Sequence, residues 1–222
     1  MTFSTISVLV PTRGRVARLA TMRASFYATA HEGAELIFRV DEDDRETQSY
    51  LIECRERMVV GPRFQGYRSM GTFFNELALE TNGDVLMCGN DDMVFMTDSW
   101  PQILLREANR FPDGVFNLGV ATHNEDHFPF SVTSRAVMDR LGFLWDPRIF
   151  WGDIYLRDLM EAFGRCRRVP AVEILHEWQG HTPDPEFGVP DDIYERDPGY
   201  WIDTHAPIVA EAIEKLRGMV IA

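Results

Sequence analysis

Short apolar runs alternate with longer amphipathic stretches along the first half of the chain. Four runs, each followed by polar, Gly or Pro residues, predict buried strands over 5–10, 34–40, 57–61 and 84–88. Residues 15–30 and 67–81 carry apolar side chains at helical spacing and predict helices. This order predicts an α/β fold whose central sheet is mostly parallel and flanked by helices.

The second half of the chain has a less regular pattern. It predicts a strand at 114–120, helices near 134–141 and 152–163, a strand at 167–175 and a closing helix at 204–217. The Pro- and Asp-rich stretch 182–198 is typical of a surface loop. No linker or low-complexity segment divides the chain, so we expect a single domain over residues 1–222.

Composition and charge narrow the function classes. A net charge of −13 and a pI near 4.8 disfavour a large nucleic-acid footprint or an anionic membrane surface, because phosphate binding needs clustered Lys and Arg. The cysteines are odd in number and widely spaced, which argues against a disulfide framework or a zinc knuckle and fits a reducing cytoplasm. No apolar run approaches the roughly 18 residues that span a bilayer. We therefore expect a soluble, cytoplasmic protein without a transmembrane segment.

Three polar clusters follow predicted strands: PTRGR after the first, DEDD after the second and NDD after the fourth. In parallel sheets, ligands bind beyond the carboxyl ends of the strands. Asp91 and Asp92 offer the hard oxygen ligands that a metal-bridged diphosphate requires, and they are few enough to leave coordination sites for phosphate. A solvated acidic turn is the alternative. The apolar runs on both sides favour the binding site, because they pin the turn at the sheet edge.

The order of these segments resembles family 2 glycosyltransferases, which are inverting enzymes with the Rossmann-like, nucleotide-sugar-binding GT-A fold. ISVLVPTRGRVARL is similar to the opening strand and loop of that family. Asn75, Gly83 and the turn 90–92 fall at the intervals of the family's helix Asn, turn and Asp-x-Asp motif. FWGDIYLRDLMEAFG resembles its acidic segment and following helix, and VEILHEW its late strand. The matches run in order from about residue 5 to 177.

The resemblance implies an inverting, metal-assisted transfer of a sugar from a nucleotide-diphosphate donor, expected to be a UDP-sugar, to a hydroxyl acceptor. It implies Asp153 as the catalytic base, and Asp92 and His176 as ligands of Mn²⁺ or Mg²⁺. The implied nucleotide contacts come from Pro11, Thr12, Arg13, Asp41, Arg68, Asn90 and Asp91. The domain would then consist of a nucleotide-binding part, about 1–95, and an acceptor-binding part, about 96–222.

Other interpretations stay open at several positions. Asn90 replaces the first acid of Asp-x-Asp and brings no charge to a metal, which also fits a catalytically silent nucleotide-sugar-binding module. A sugar-phosphate nucleotidyltransferase shares the strand order, but its phosphate loop needs several glycines and PTRGR contains only Gly14. DEDD at 41–44 is either an acid cluster at a helix start or, by resemblance, places Asp41 to accept from uracil.

The sequence contains no motif that identifies the acceptor. His123 and His127 either line the acceptor side or lie on the surface. Trp145, Phe150 and Trp151 form either a platform for a sugar or part of the core. A saccharide, a lipid-linked glycan, a protein and a modified nucleobase are all compatible acceptors.

Overall fold

The computed structural model describes residues 2–63, 69–122, 128–149, 151–177 and 199–220 and shows an α/β protein. The predictions made for Arg68, His123, His127, Phe150 and the loop at 182–198 concern residues outside these ranges.

The first half alternates strands and helices close to the predicted bounds. Its elements are β1 (Ile6–Thr12), α1 (Val16–Thr29), β2 (Ala34–Asp41), α2 (Arg45–Glu53), β3 (Met58–Gly61), α3 (Ser69–Leu79) and β4 (Val85–Cys88). The sequence pattern did not predict α2 because few of its residues are apolar. Asp44 caps this helix by accepting a hydrogen bond from the Thr47 backbone N–H, so the end of the DEDD cluster does start a helix.

The second half contains the predicted elements and three further short ones. Its elements are β5 (Met93–Phe95), α4 (Trp100–Ala108), β6 (Asn117–Ala121), β7 (Val132–Ser134), α5 (Arg135–Leu141), α6 (Gly152–Glu161), β8 (Cys166–His176) and α7 (Ala206–Leu216). A π-helical turn, Tyr200–His205, leads into α7. The pattern did not predict β5, β7 or α4; the two strands are three residues long, too short to show a period.

In the described part of the chain, eight strands form one sheet in the order β3-β2-β1-β4-β7-β6-β8-β5. The block β3-β2-β1-β4 is parallel throughout, and β6 is parallel to β8. In contrast, β7 runs antiparallel to β4 and β6, and β5 runs antiparallel to β8. The sheet is therefore mixed, and its parallel block matches the expected alternation.

Helices cover both faces of this sheet. Because successive strand residues face opposite sides, β1 contributes to two hydrophobic clusters. Val8 and Val10 belong to a cluster shared with α1 and α4, whereas Leu9 belongs to a second cluster with α3, α5, α6 and α7. All three side chains are completely buried. No helix in the described ranges is both long and apolar enough to cross a bilayer.

The start of β4 approaches β1 more closely than a side chain would permit. The Gly83 backbone N–H donates to Ser7 Oγ at 3.1 Å, and a Cβ at position 83 would lie 2.3 Å from that oxygen. Glycine is therefore required here to let the two strands lie side by side. This pairing brings the carboxyl ends of β1 and β4 to the same edge.

Candidate functional site

The carboxyl ends of β1, β2 and β4 meet at one edge of the sheet, because these strands are parallel and adjacent. Thr12 ends β1, Asp41 ends β2, and the turn 89–92 follows β4. The three polar clusters singled out in the sequence therefore come together, as predicted.

Asp41 is held between two arginines. Arg13 Nη1 donates to Asp41 Oδ2 at 2.9 Å, and Arg39 Nη1 donates to Asp41 Oδ1 at 2.9 Å. Burial raises the pKa of Asp41, whereas the two guanidinium groups oppose this rise. Both carboxylate oxygens already accept one hydrogen bond. Each retains a lone pair that could accept from a nucleobase N–H.

Arg39 is a site residue that the sequence analysis did not identify. Its side chain is 1% exposed, and its guanidinium also donates to Glu76 Oε2 at 2.8 Å and to the Pro62 carbonyl at 2.7 Å. It lies 4.4 Å from the centre of the Phe73 ring. The available signal was a charged residue inside the apolar run LIFRV, since an arginine is rarely fully buried without partners.

Asp91 lies at the base of the site and is completely buried. Thr12 Oγ1 donates to Asp91 Oδ2 at 2.7 Å, and Arg15 Nη2 lies 2.8 Å from Asp91 Oδ1. Burial raises the pKa of Asp91 to about 6, although Arg15 and Thr12 oppose that rise. The observed contacts of Asp91 are thus with the end of β1 and the start of α1.

Asp92 meets His176 at the same edge. His176 Nε2 lies 3.4 Å from Asp92 Oδ1, while Arg15 Nη1 and Arg18 Nη1 lie 3.5 Å and 4.0 Å from Asp92 Oδ2. Backbone pairing explains the contact, because Met93 of β5 is in register with His176 of β8. Burial alone would raise the pKa of Asp92, but His176 and Arg15 outweigh it and hold this pKa below its usual value.

The Asp92 and His176 side chains fit a divalent cation. Asp92 Oδ1 is buried and lies 3.4 Å from His176 Nε2, longer than an ordinary hydrogen bond, so the oxygen and the ring nitrogen could turn to one cation. No group of three or more His, Cys, Asp or Glu side chains among the described residues could hold a metal. Two protein ligands suit Mg²⁺ or Mn²⁺ when phosphate oxygens and water complete the coordination.

The remaining predicted residues occupy the same edge or its approach. Asn90 is half-buried in the turn after β4, where its backbone N–H contacts Met93 Sδ at 3.1 Å. Pro11 is buried in β1 in register with Arg39. Arg13 also pairs with Asp43, which raises the pKa of its guanidinium.

Asp153 is half-buried in the first turn of α6. Its charge acts on the Cys88 thiol at the end of β4, whose pKa is raised mainly by burial. The residue before Asp153, Gly152, packs on Trp145, which belongs to the same hydrophobic cluster as Cys88. Of the proposed aromatic platform, Trp145 is buried and Trp151 is half-buried at the start of α6.

The fold is similar to those of solved structures that contain a nucleotide or a nucleotide sugar. One is the mannosyltransferase PcManGT from Pyrobaculum calidifontis in complex with GDP-Man and Mn²⁺, with 11% identity and a TM-score of 0.65 over 98% of this chain and 75% of that chain. Another is TarS 1–349 from S. aureus in complex with UDP, with 14% identity and a TM-score of 0.59 over 94% of this chain and 69% of that chain. No protein-family model matches the sequence, and no curated protein matches it either. The expected resemblance to glycosyltransferases is therefore confirmed for the fold, which is all that identities this low can show.

Proposed function

We propose that the protein is a GT-A glycosyltransferase that moves a sugar from a nucleotide-diphosphate donor, a UDP-sugar, to a hydroxyl acceptor with inversion. The observation that carries the proposal is the meeting of Asp92 and His176 at the edge where β1, β2 and β4 end. This edge is where a nucleotide binds in an open α/β sheet. The similarity to structures holding GDP-Man with Mn²⁺ and UDP supports this class of donor.

The nucleotide-binding part, about 1–95, supplies the donor contacts in this proposal. Asp41 accepts from the base, while Pro11, Thr12, Arg13 and Arg68 surround the nucleotide. Asn90 contacts the ribose side, whereas Asp91 is completely buried and acts on the nucleotide site only by fixing the turn through Thr12 and Arg15. Asp92 and His176 would hold Mn²⁺ or Mg²⁺, which when bound neutralises charge on the departing diphosphate.

The transfer itself is a single displacement at the anomeric carbon. The acceptor oxygen forms a bond to that carbon while the Asp153 carboxylate takes the hydroxyl proton. The bond between the anomeric carbon and the phosphate oxygen breaks on the opposite face, and its electron pair leaves with the nucleoside diphosphate. The part at about 96–222 binds the acceptor. Asp153 belongs to this part, and its position in the first turn of α6 suits it to the role of base.

A catalytically silent nucleotide-sugar-binding module is the second candidate. One observation favours it: Arg15 and Arg18 already surround Asp92, so the carboxylate has cationic neighbours before any metal binds. Binding of a donor without its cleavage would identify this alternative.

A donor panel with Asp153→Asn tests the proposal. The parent protein, with Mn²⁺, is incubated with UDP-glucose, UDP-GlcNAc and GDP-mannose, and the released nucleoside diphosphate is measured. Asp153→Asn keeps the shape but cannot take the proton, so release should fall by about 10²-fold or more, while UDP affinity stays within about twofold. Glu161→Gln, an exposed change on the same helix, is the control. Absence of release from every donor by the parent protein would contradict transferase activity.

A further inference from the structure

The segment between α5 and α6 is clamped to α3 by one amide side chain. Asn75 Nδ2 donates to the Trp145 carbonyl at 2.9 Å, and Asn75 Oδ1 accepts from the backbone N–H groups of Leu144 and Trp145 at 2.7 and 3.1 Å. Both lone pairs of the amide oxygen are therefore used. Only an asparagine-like side chain supplies this combination of donor and acceptor. The backbone of Trp145 is consequently fixed relative to α3.

The Trp145 ring is wedged between two helices. It is 7% exposed, and its ring lies 4.5 Å from that of Phe74 in α3, measured between centroids. On the other side it lies on the first residue of α6: a Cβ at Gly152 would be 1.8 Å from Trp145 Cδ2. No real Cβ tolerates that distance, so glycine at 152 lets the indole rest directly on the helix backbone. The next residue is Asp153.

Trp145 also lies beside the end of β4. Burial raises the pKa of the Cys88 thiol, the Trp145 side chain opposes the rise, and the charge of Asp153 adds to it. Trp145 and Cys88 belong to the same hydrophobic cluster, and Asp153 follows Gly152, on which the indole packs. The turn 89–92, which carries Asp91 and Asp92, begins at the residue after Cys88.

We propose that Trp145 is a positioning residue that sets the distance between Asp153 and the turn 89–92. The inference rests on the proposed function, in which Asp153 is the base and the turn holds the diphosphate side of the donor. A base must lie within hydrogen-bond reach of the acceptor proton, and a displacement of about 1 Å can cost about 10²-fold in rate. In this role Trp145, which is buried, acts through Asp153 and the turn without touching the nucleotide or the reacting atoms.

The first test compares two buried tryptophans. Trp145→Phe should lower the turnover of donor hydrolysis at least about tenfold, with the donor KM and the UDP affinity within about twofold, because only the base is displaced. Trp100→Phe removes the same atoms from a completely buried tryptophan stacked on Phe95, in the other hydrophobic cluster. It should lose comparable thermal stability and keep its turnover. Equal turnover in the two variants would overturn the inference.

The second test asks whether Trp145 acts through Gly152. Gly152→Ala should lower turnover in the parent, because the added methyl group displaces the indole or the start of α6. The same change should have little further effect in Trp145→Ala, which has no ring for the methyl group to displace, since the two changes then disturb one contact. Additive losses of turnover would show that the two residues act separately. They would overturn the inference that Trp145 acts through Gly152.

A third measurement needs no activity. In a Cys54→Ser, Cys166→Ser background, only Cys88 remains for labelling by a disulfide reagent. Trp145→Phe should speed this labelling at least about fivefold because it opens a cavity next to the thiol, whereas Trp100→Phe should not. Unchanged labelling would overturn the placement of Trp145.

The outcomes separate the two proposals. If the parent releases no nucleoside diphosphate from any donor, the proposed function fails and the positioning role falls with it. If the parent is active and Asp153→Asn is inactive, yet Trp145→Phe matches Trp100→Phe, the proposed function stands and the positioning role is wrong.

Discussion

His176 Nε2 lies 3.4 Å from Asp92 Oδ1, so the end of β8 contacts the turn that follows β4. The Glu177 backbone N–H also donates to the Asp92 carbonyl at 2.9 Å, which locks the two segments together through their backbones. Both side chains are largely withdrawn from solvent, with 10% and 5% exposure. A cation bound here would therefore meet ligands that are already oriented.

Asp92→Asn should weaken UDP binding at least about tenfold in Mn²⁺, or about 1.4 kcal/mol, because the amide offers the metal a neutral oxygen. In EDTA the variant and the parent should bind UDP equally. Asp98→Asn is the matched control, since Asp98 also pairs with a histidine, His31, but on the surface. Titration calorimetry under both conditions gives the comparison. Equal affinity in Mn²⁺ would remove the metal role of Asp92.

Arg15→Gln should tighten Mn²⁺ binding measured without nucleotide. The change removes a cation 3.5 Å from Asp92 Oδ2, and repulsion between like charges at that range is worth about 1 kcal/mol or more. We expect an increase in affinity of at least about fivefold. Arg23→Gln is the control, because Arg23 lies on the same helix but pairs with Glu56. Weaker Mn²⁺ binding in Arg15→Gln would show that the arginine supports the metal site.

Asp41→Asn should reduce the preference for UDP over GDP. One carboxylate oxygen becomes an N–H donor, which cannot accept from uracil, and an unpaired buried donor costs about 1–3 kcal/mol. The preference should therefore fall at least about fivefold in competition binding. Asp113→Asn is the control for stability, because Asp113 is another buried carboxylate paired with an arginine, Arg165. An unchanged preference would mean that Asp41 pairs with Arg13 and Arg39 but does not recognise the base.

Asp146→Asn should lower stability in a pH-dependent manner. Burial would raise the pKa of Asp146, but hydrogen bonds from Arg148 hold this pKa below its usual value of 3.8. A carboxyl group whose pKa is lower in the folded than in the unfolded state adds stability above the unfolded pKa. That stability is lost as the pH falls through the lower, folded value. The variant and the parent have the same ionisable neighbours around this pair, namely Glu211, Lys215 and Tyr155.

The difference between Asp146→Asn and the parent should be about 1–3 kcal/mol at pH 7 and should begin to shrink once the pH falls below the usual carboxyl pKa of 3.8. Urea unfolding across this range measures it. Asp139→Asn, an exposed change on α5, should show no such dependence. A difference that stays constant down to about pH 3 would mean that the charge of Asp146 does not stabilise the fold.

Most of the local elements, and the sheet edge at which the polar clusters lie, could be predicted from the amino-acid sequence alone. Strands β1, β2 and β4 and helices α1 and α3 follow from the spacing of apolar residues, which is a property of each segment alone. The three polar clusters that follow these strands must then lie close together, because parallel strands end at the same edge. The position of Asp153 in the first turn of a helix was likewise readable from the segment 152–163.

The contacts between side chains could not be predicted in this way. The antiparallel β5 is too short to show a period, yet its register with β8 brings His176 to Asp92. The contacts of Arg15 with Asp91, of Arg39 with Glu76 and of Asn75 with Trp145 join segments distant along the chain. Such contacts depend on strand register and helix packing, which no local pattern of apolar and polar residues records. The elements were therefore predictable from the sequence, whereas the charge balance and the alignment of the site arise from folding.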